Sequence, residues 1–368
     1  MTPKTYVQGK SIEEAKRISG MDEILKVGSN ENVLGASPRA KAAIEAALDE
    51  LHLYPDRQED ILTDKLARRM GGGLDRRQII TGNGSCDVLR MITQTFIGPG
   101  KKALIAAPTF GMYELLVEMF GGEAVNVPLK RHAADLDALA AAIDERTSLV
   151  FVCNPNNPTG AVVSHAQATK FLNKVPAGVV VVFDEAYVEF VEDPDFPRMT
   201  EFIAAGHDVL VTRTFSKLHG LASLRVGYGF GPMALMERVR RHRVHFNSGR
   251  LAFLGAAAAV DDEAHIQRSL EMVRTGRRYY YQAFDEMGIH YVPTQSNFIF
   301  LTDLPLDAAF ICDEAMKRGV ILRPTTPFGL PDNIRITIAR QHENERVVRV
   351  LQEIIQLHAR QNGSQGAG

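Results

Sequence analysis

The sequence contains few cysteines, no long hydrophobic run and no large excess of charge of either sign. The three cysteines, Cys86, Cys153 and Cys312, lie far apart and form no C-x-x-C pair, so they indicate neither a zinc knuckle nor a disulfide framework. Isolated thiols of this kind are typical of the reducing cytoplasm, where we expect the protein to be. Apolar runs such as 179–183 are far too short to cross a membrane, and residues 1–10 lack the apolar core of a secretory signal.

The balance of charge and the missing motifs exclude several further classes of protein. The 42 basic and 44 acidic residues give a formal net charge of −2, which predicts no binding to nucleic acid or to an anionic membrane. The sequence has no Walker loop, no H-E-x-x-H, no G-x-S-x-G and no G-x-G-x-x-G after a strand. Its 11 histidines form no ligand pattern, so we expect no metal. What remains is an ordinary globular composition in a chain of 368 residues, long enough for about two domains.

Short apolar runs alternate with helical patterns through the middle of the chain. The runs predict strands buried on both faces, as in a parallel sheet, at 79–81, 103–107, 149–153, 178–183 and 209–211. Apolar residues at a spacing near 3.6 predict helices between them, for example at 87–96, 112–120 and 137–144. This alternation predicts an α/β domain with a mostly parallel, doubly wound sheet.

The last third of the chain changes character and predicts a smaller α+β domain. Strands are predicted there at 289–292, 297–302, 320–323 and 334–338, separated by helices. We expect four parts in chain order: an N-terminal segment joining the small domain (1–35), a large domain (36–245), the small domain (246–360) and a disordered tail (361–368).

Polar motifs follow the predicted strands at the positions where ligands bind in open α/β sheets. After the first strand, residues 81–87 read Thr-Gly-Asn-Gly-Ser-Cys-Asp. Glycines and a serine between a strand and a helix can present backbone N–H groups to a phosphate, although an ordinary turn has the same composition. After the third strand, residues 154–160 read Asn-Pro-Asn-Asn-Pro-Thr-Gly. Two prolines make this turn rigid, and it can hold an asparagine amide against a planar ligand.

Charged residues follow the next strands. Asp184 ends the most apolar strand. Burying its carboxylate there is costly unless a cation, such as one on a ligand, pairs with it. The alternative is that Asp184 is exposed to water at the end of the strand. Lys217 lies between Arg213 and Arg225 in the sequence, and a desolvated lysine near other cations becomes a nucleophile toward carbonyls. Arg335 lies in the predicted strand 334–338, and its guanidinium is suited to bind a carboxylate. The alternative is an arginine on the protein surface.

Together these motifs contain the residue types that are needed to bind pyridoxal phosphate and an amino-acid substrate. The chain also resembles the fold-type I pyridoxal-phosphate aminotransferases, which have a large domain and a smaller α+β domain, and within them the histidinol-phosphate aminotransferases. The resemblance extends from about residue 6 to residue 340. Its matching stretches are 30–32, 53–56, 108–110, 154–160, 184–187 and 213–227.

The resemblance implies roles for the matching residues. Lys217 is expected to hold the cofactor covalently and to move the proton in catalysis, and Asp184 to pair with the ring nitrogen. Tyr187 and Asn157 are expected to bond the phenolic oxygen of the cofactor. Further cofactor contacts are implied for Phe110 on the ring face and, around the phosphate, for Gly84, Ser85, Cys86, Thr214, Ser216 and Arg225.

Substrate contacts and a dimer are implied in the same way. Arg335 matches the arginine that binds the α-carboxylate, and Tyr6, Asn32 and Arg323 fall where other substrate contacts are expected. Arg323 could attract a phosphate on the substrate. Tyr54 matches a tyrosine that crosses to the cofactor phosphate of the partner subunit, which implies a homodimer.

The resemblance implies an enzyme of histidine biosynthesis. It would exchange an amino group between L-histidinol phosphate, the amino donor, and 2-oxoglutarate, the 2-oxo acid acceptor. Three alternatives remain open: an aminotransferase for aromatic or other amino acids, a threonine-phosphate decarboxylase, and a binding protein that keeps the cofactor without turnover. The chain departs from the family pattern at Val33, Cys86, 245–248 and 339–340. These departures concern the substrate more than the cofactor.

Overall fold

The computed structural model describes residues 9–55 and 58–365, which form a large and a small domain. The strands are β1 (Leu25–Lys26), β2 (Ile79–Asn83), β3 (Lys102–Ala107), β4 (Glu123–Pro128), β5 (Thr147–Cys153), β6 (Val180–Asp184), β7 (Val209–Thr214), β8 (Val226–Phe230), β9 (His290–Val292), β10 (Phe298–Thr302), β11 (Val320–Ile321), β12 (Arg323–Pro324) and β13 (Ile334–Thr337). The α-helices are α1 (Ile12–Ser19), α2 (Pro38–Glu45), α3 (Gln58–Met70), α4 (Ser85–Phe96), α5 (Met112–Met119), α6 (Leu136–Ala141), α7 (His165–Leu172), α8 (Met199–Ala204), α9 (Met233–Arg240), α10 (Arg250–Val260), α11 (Glu263–Met287), α12 (Ala308–Lys317) and α13 (Gln341–Gln365).

The central sheet of the large domain has the order β2-β8-β7-β6-β5-β3-β4. All its neighbouring strands are parallel except β8, which runs antiparallel to both β2 and β7. The middle strands β5 and β6 are buried along their whole length, because helices cover both faces. One core contains residues of α4, α5 and α9, and the other contains residues of α2, α3, α6, α7, α8 and α10. The predicted α/β class with a mostly parallel sheet is confirmed.

The small domain contains an antiparallel sheet in the order β12-β13-β10-β9 and the long helices α11 and α13. Strand β1 pairs in parallel with β11, and Leu25 and Val27 lie in the small-domain core. The N-terminal segment therefore packs on this domain from α1 onward, in the region where we predicted that residues 1–35 join it. Residues 1–8 lie outside the described part of the chain.

Three features of the fold differ from the prediction. We placed the start of the small domain at residue 246, but residues of α10, such as Phe253 and Ala256, lie in the core of the large domain. Strand β4, at the sheet edge, and the glycine-containing β8 were not predicted, because neither is a continuous apolar run. We also predicted disorder from residue 361, but α13 continues to Gln365, since extending a helix adds one hydrogen bond for each residue fixed.

A glycine in β8 brings this strand close to the beginning of α4. A Cβ on Gly227 would lie 2.3 Å from the backbone nitrogen of Ser85. Only a residue without a side chain therefore lets the helix begin directly against the sheet. Among the described residues, no helix is both long enough and apolar enough to span a membrane.

Candidate active site

A cavity of about 250 Å³ lies at the carboxyl ends of the central strands, between the two domains. Strands β5, β6 and β7 are in register there, with Cys153 opposite Asp184 and Asp184 opposite Thr212. The side chains that follow these strands therefore meet at one edge of the sheet. The cavity is lined by twelve of the predicted site residues: Ser85, Cys86, Phe110, Asn157, Asp184, Tyr187, Thr214, Ser216, Lys217, Arg225, Arg323 and Arg335.

One end of the cavity is built to bind an anion. Helix α4 begins there after Gly84, which has a φ of 77° and no side chain with which to cap the helix. The Arg225 guanidinium closes over this turn, since a Cβ on Gly84 would lie 2.5 Å from Arg225 Nη2. The Thr214 and Ser216 hydroxyls lie 2.9 Å apart beside it. Backbone donors at a helix N-terminus, two hydroxyls and a guanidinium are suited to a phosphate group.

Asp184 forms part of the cavity wall and has only neutral hydrogen-bond donors. Its side chain is 3% exposed and accepts hydrogen bonds from the Tyr113 hydroxyl at 2.6 Å and the Thr212 hydroxyl at 2.8 Å. No cation of the described residues forms an ion pair with it. Burial therefore raises the pKa of Asp184, although both hydrogen bonds oppose the shift. A buried carboxylate in this state would be stabilised by a cationic group on a ligand.

Lys217 brings an amine into the same cavity. Its Nζ donates to the backbone oxygen of Ser29 at 3.2 Å and lies 5.7 Å from the centre of the Tyr187 ring. Loss of hydration, with a smaller contribution from the charge of Arg335, lowers the pKa of Lys217 to about 8. A lysine with this pKa is neutral in about a tenth of the molecules at pH 7, far more than an ordinary lysine, so a nucleophilic or basic amine is accessible.

Two arginines face each other on the small-domain side of the cavity. Arg323 in β12 pairs directly with Arg335 in β13, and each is 5% exposed. The centre of each guanidinium lies within 6 Å of the Phe328 ring centre, at 5.9 and 5.8 Å. These two guanidiniums bring positive charge to this side of the cavity, which suits an anionic ligand.

Asn157 connects the two sides of the cavity. Its Oδ1 accepts a hydrogen bond of 2.5 Å from Arg335, which also donates to the Gly28 carbonyl at 2.9 Å. Its Nδ2 forms no hydrogen bond within the described residues, so Asn157 can donate to a ligand while it positions Arg335.

Four predicted site residues do not line the cavity. Gly84 lies just outside it and contacts Arg225, as described above. Asn32 was predicted to bind substrate, but its Nδ2 donates to the Leu218 carbonyl at 2.7 Å and to Ser269 at 2.9 Å, which consumes its donors within the protein. Tyr54 is 75% exposed and stacks on Phe246. Tyr6 lies outside the described residues.

Several residues in or beside the cavity were not predicted from the sequence as site residues. Tyr113 and Thr212 bond Asp184, while Asn30, Glu31 and Phe328 reach the cavity from the N-terminal segment and the small domain. Thr212 could have been predicted, because it stands two residues before Thr214 and therefore on the same face of its strand. Nothing in the local sequence around Phe328 marks it, since only the packing of the two domains brings it to the cavity.

The departures from the family pattern occupy different places. Cys86 lines the cavity, and burial raises the pKa of its thiol. Arg340 pairs with Glu343 at 3.0 Å at the start of α13 and does not line the cavity. His245 lies against Phe246, near the exposed Tyr54.

These features fit the cofactor implied by the resemblance. A phosphate can lie at the N-terminus of α4, and a cationic ring nitrogen can pair with the buried Asp184. The amine of Lys217 is available for a carbonyl, and Phe110 offers an aromatic face. The uncompensated carboxylate is the most informative of these observations, because burial without a cation is costly in the protein alone.

Comparison with known proteins gives consistent results. The model of the family described as aminotransferase class I and II matches residues 22–354. The histidinol-phosphate aminotransferase of Moorella thermoacetica is 42% identical over 353 residues, covering 96% of this chain and 91% of that protein. The enzyme of the same name from Brevibacillus brevis is 40% identical over 350 residues, covering 95% of each chain.

A solved structure has the same overall fold. It is the histidinol-phosphate aminotransferase of Sinorhizobium meliloti in complex with pyridoxal-5′-phosphate, which is 26% identical. The similarity has a TM-score of 0.85 and covers 95% of both chains. On its sequence, its fold and its cavity, this chain belongs to the class I and II aminotransferase family.

Proposed function

We propose that the protein is a pyridoxal-5′-phosphate-dependent aminotransferase that acts on L-histidinol phosphate and 2-oxoglutarate, giving imidazole-acetol phosphate and L-glutamate. The observation that carries this proposal is a single cavity containing Lys217, an uncompensated Asp184 and two opposed arginines. The shared name of the relatives at 40 and 42% identity supports the choice of substrate.

The large domain would hold the cofactor. The N-terminus of α4, with Ser85, Thr214, Ser216 and Arg225, would bind its phosphate. Asp184 would pair with the ring nitrogen, and Phe110 would cover the ring. Bound there, pyridoxal 5′-phosphate supplies an aldehyde and an electron-withdrawing ring that delocalises the negative charge left when an amino donor loses its Cα proton.

Lys217 would carry out the proton transfer. Its lowered pKa of about 8 lets Nζ both accept and return a proton near neutral pH, as a general acid–base requires. The carbonyl of Ser29 holds this amine from one side at 3.2 Å. Paired with the cationic ring nitrogen, the Asp184 carboxylate would favour the protonated form of that nitrogen.

Arg323 and Arg335 would bind the anionic part of each substrate in turn. L-histidinol phosphate carries a phosphate and no carboxylate, whereas glutamate and 2-oxoglutarate carry carboxylates. Two neighbouring guanidiniums can bind either kind of anion by donating bidentate hydrogen bonds to it. One site could therefore serve both halves of the exchange.

A homodimer completes the proposal. The surface around Tyr54 exposes large apolar side chains, with 65% of Leu51, 67% of Val244 and 55% of Phe246 accessible. We propose that this surface meets a second copy of the chain and brings Tyr54 to the partner's cofactor phosphate. Sedimentation velocity tests this: we expect a dimer at micromolar concentration, and a monomer at every concentration would contradict it.

We also propose a cytoplasmic location. Cys86, Cys153 and Cys312 are all free thiols, as a reducing compartment would keep them.

The substrate is tested by one half-reaction at a time. Protein loaded with the cofactor is mixed with excess amino donor and no acceptor, and the visible absorbance of the bound cofactor is followed. We expect the fastest loss of absorbance with L-histidinol phosphate, compared with phenylalanine, tyrosine, glutamate and threonine phosphate.

Each alternative function gives a different result. Fastest loss with phenylalanine or tyrosine would indicate an aromatic aminotransferase, and release of carbon dioxide from threonine phosphate would indicate a decarboxylase. Bound cofactor that reacts with none of the amines would indicate a binding protein.

A further inference from the structure

Asn30 is a buried residue to which the resemblance assigned no role, yet it holds the hydroxyl of Tyr187. It is 1% exposed and has a left-handed backbone with a φ of 56°, which asparagine tolerates better than most residues other than glycine. Its Nδ2 donates to the Tyr187 hydroxyl oxygen at 3.0 Å. The Asn297 side chain donates to its carbonyl at 3.2 Å, so both the backbone and the side chain of Asn30 are constrained.

Thr337 decides which way the Asn30 amide faces. The backbone N–H of Asn30 donates to the Thr337 hydroxyl oxygen at 2.9 Å, so the proton of that hydroxyl must be donated elsewhere. The acceptor is Asn30 Oδ1, at 3.3 Å. With Oδ1 engaged by Thr337, the amide must present its N–H groups to Tyr187.

The same reasoning gives the direction of the Tyr187 proton. The hydroxyl oxygen of Tyr187 accepts from Asn30, so its own proton is directed to another acceptor. Tyr187 is 4% exposed and lines the cavity, and burial raises its pKa, so the proton is retained at neutral pH. The cavity is the side on which an acceptor can bind.

We propose that Asn30 is a positioning residue, which makes the Tyr187 hydroxyl a hydrogen-bond donor toward the phenolic oxygen of the bound cofactor. This inference rests on the proposed function. In this role Asn30 acts through the Tyr187 hydroxyl, although Asn30 also forms part of the cavity wall. Because Thr337 and Asn297 belong to the small domain, the direction of this hydrogen bond depends on how the two domains pack.

The test measures the pH midpoint of the visible absorbance of the bound cofactor. A donor to the phenolic oxygen stabilises its deprotonated form, so losing the donor raises the midpoint. Asn30→Asp replaces the donating amide with a carboxylate that accepts the Tyr187 proton. We expect the midpoint to rise by about one pH unit, the size expected for one hydrogen bond to a charged group.

A double-mutant cycle separates the hydrogen bond from the added charge. Tyr187→Phe alone should raise the midpoint by a similar amount, and Asn30→Asp in that background should add little. An unchanged midpoint in Asn30→Asp would overturn the inference, and so would an equal rise with and without the Tyr187 hydroxyl. Wild-type protein that binds no cofactor would instead contradict the proposed function.

A second pair of variants covers the case in which Asn30→Asp does not fold. Thr337→Val frees the amide to turn its oxygen toward Tyr187, so the midpoint should again rise, by a smaller amount. Thr337→Ser keeps the hydroxyl and should restore the wild-type value. Equal midpoints in the two Thr337 variants would contradict the role of the amide orientation.

Discussion

Two adjacent carboxylates at the end of β6 are both buried, but the protein neutralises only one of them. Glu185 is 0% exposed and pairs with the Arg213 guanidinium at 2.7 Å. Asp184 receives hydrogen bonds from hydroxyls alone and lines the cavity. Because successive residues along a strand point to opposite faces of the sheet, one carboxylate belongs to the core and the other to the site.

From this difference we expect Glu185 to stabilise the fold and Asp184 to bind a ligand. Burial raises the pKa of both residues, but the charge of Arg213 opposes the shift at Glu185. The cation that Asp184 lacks is expected on a ligand. A buried acid therefore marks a site by the absence of a protein cation rather than by burial itself.

The largest effect is expected from the amine that shares the cavity with Asp184. Lys217→Ala should lower kcat by at least about 10³-fold, because no other amine among the described cavity residues can take over the proton transfer. Steady-state kinetics with L-histidinol phosphate measures this loss. Lys170→Ala, at an exposed lysine paired with Asp137, is the control and should keep wild-type activity. Retained activity in Lys217→Ala would refute the assigned role.

The second largest effect is a difference in kcat between variants of the two carboxylates. Asp184→Asn keeps the shape but removes the negative charge, and we expect kcat to fall by about 10²-fold or more. Glu185→Gln should lower the kcat of the folded enzyme by less than about tenfold, because Glu185 lies on the other face of the sheet. Equal losses of kcat in the two variants would contradict the distinction between Asp184 and Glu185.

In stability we expect the opposite order, with the larger loss in Glu185→Gln and no loss in Asp184→Asn. Glu185→Gln leaves the Arg213 guanidinium, which is 20% exposed, without its buried partner and should cost about 2–4 kcal/mol in the free energy of unfolding. Asp184→Asn should leave the stability of the cofactor-free protein unchanged or higher, since it removes a buried charge that lacks a cation. Urea denaturation of the cofactor-free proteins measures both values. A larger loss in Asp184→Asn would contradict the assignment.

The smallest effect is a pH dependence of stability. The pKa of Lys217 falls from 10.5 to about 8 on folding, so the unfolded chain binds more protons between these values. Its contribution to stability is fully present above about pH 10.5 and is lost as the pH falls toward 8. Urea denaturation of cofactor-free protein at pH 8 and pH 10 should show this rise in wild type relative to Lys217→Met. Identical pH dependence in the two proteins would indicate that Lys217 is not desolvated.

The residues that could be predicted from the sequence are those that local patterns define. Asp184, Thr214 and Lys217 follow strands that are themselves apolar runs, so their meeting at one sheet edge follows from the α/β alternation. The resemblance added the role of Arg335, which its own strand could not settle.

The remaining residues depend on tertiary packing that no local pattern records. Asn30 and Phe328 reach the cavity through the docking of the N-terminal segment and the small domain. Asn32 shares a motif with Asn30, yet its donors are used by Leu218 and Ser269. From this motif we assigned Asn32 to the substrate and gave no role to Asn30. Helix α10 was assigned to the wrong domain, because its small apolar residues do not reveal in the sequence which core they pack against.

We expect Lys217 to carry the cofactor in the cavity that Asp184 helps to form. The most direct test is to load the protein with pyridoxal 5′-phosphate, reduce it with borohydride and map the modified peptide by mass spectrometry. We predict one modified lysine per chain, Lys217, in wild type and in Lys170→Ala. A cofactor attached to another lysine, or no attachment at all, would contradict the account.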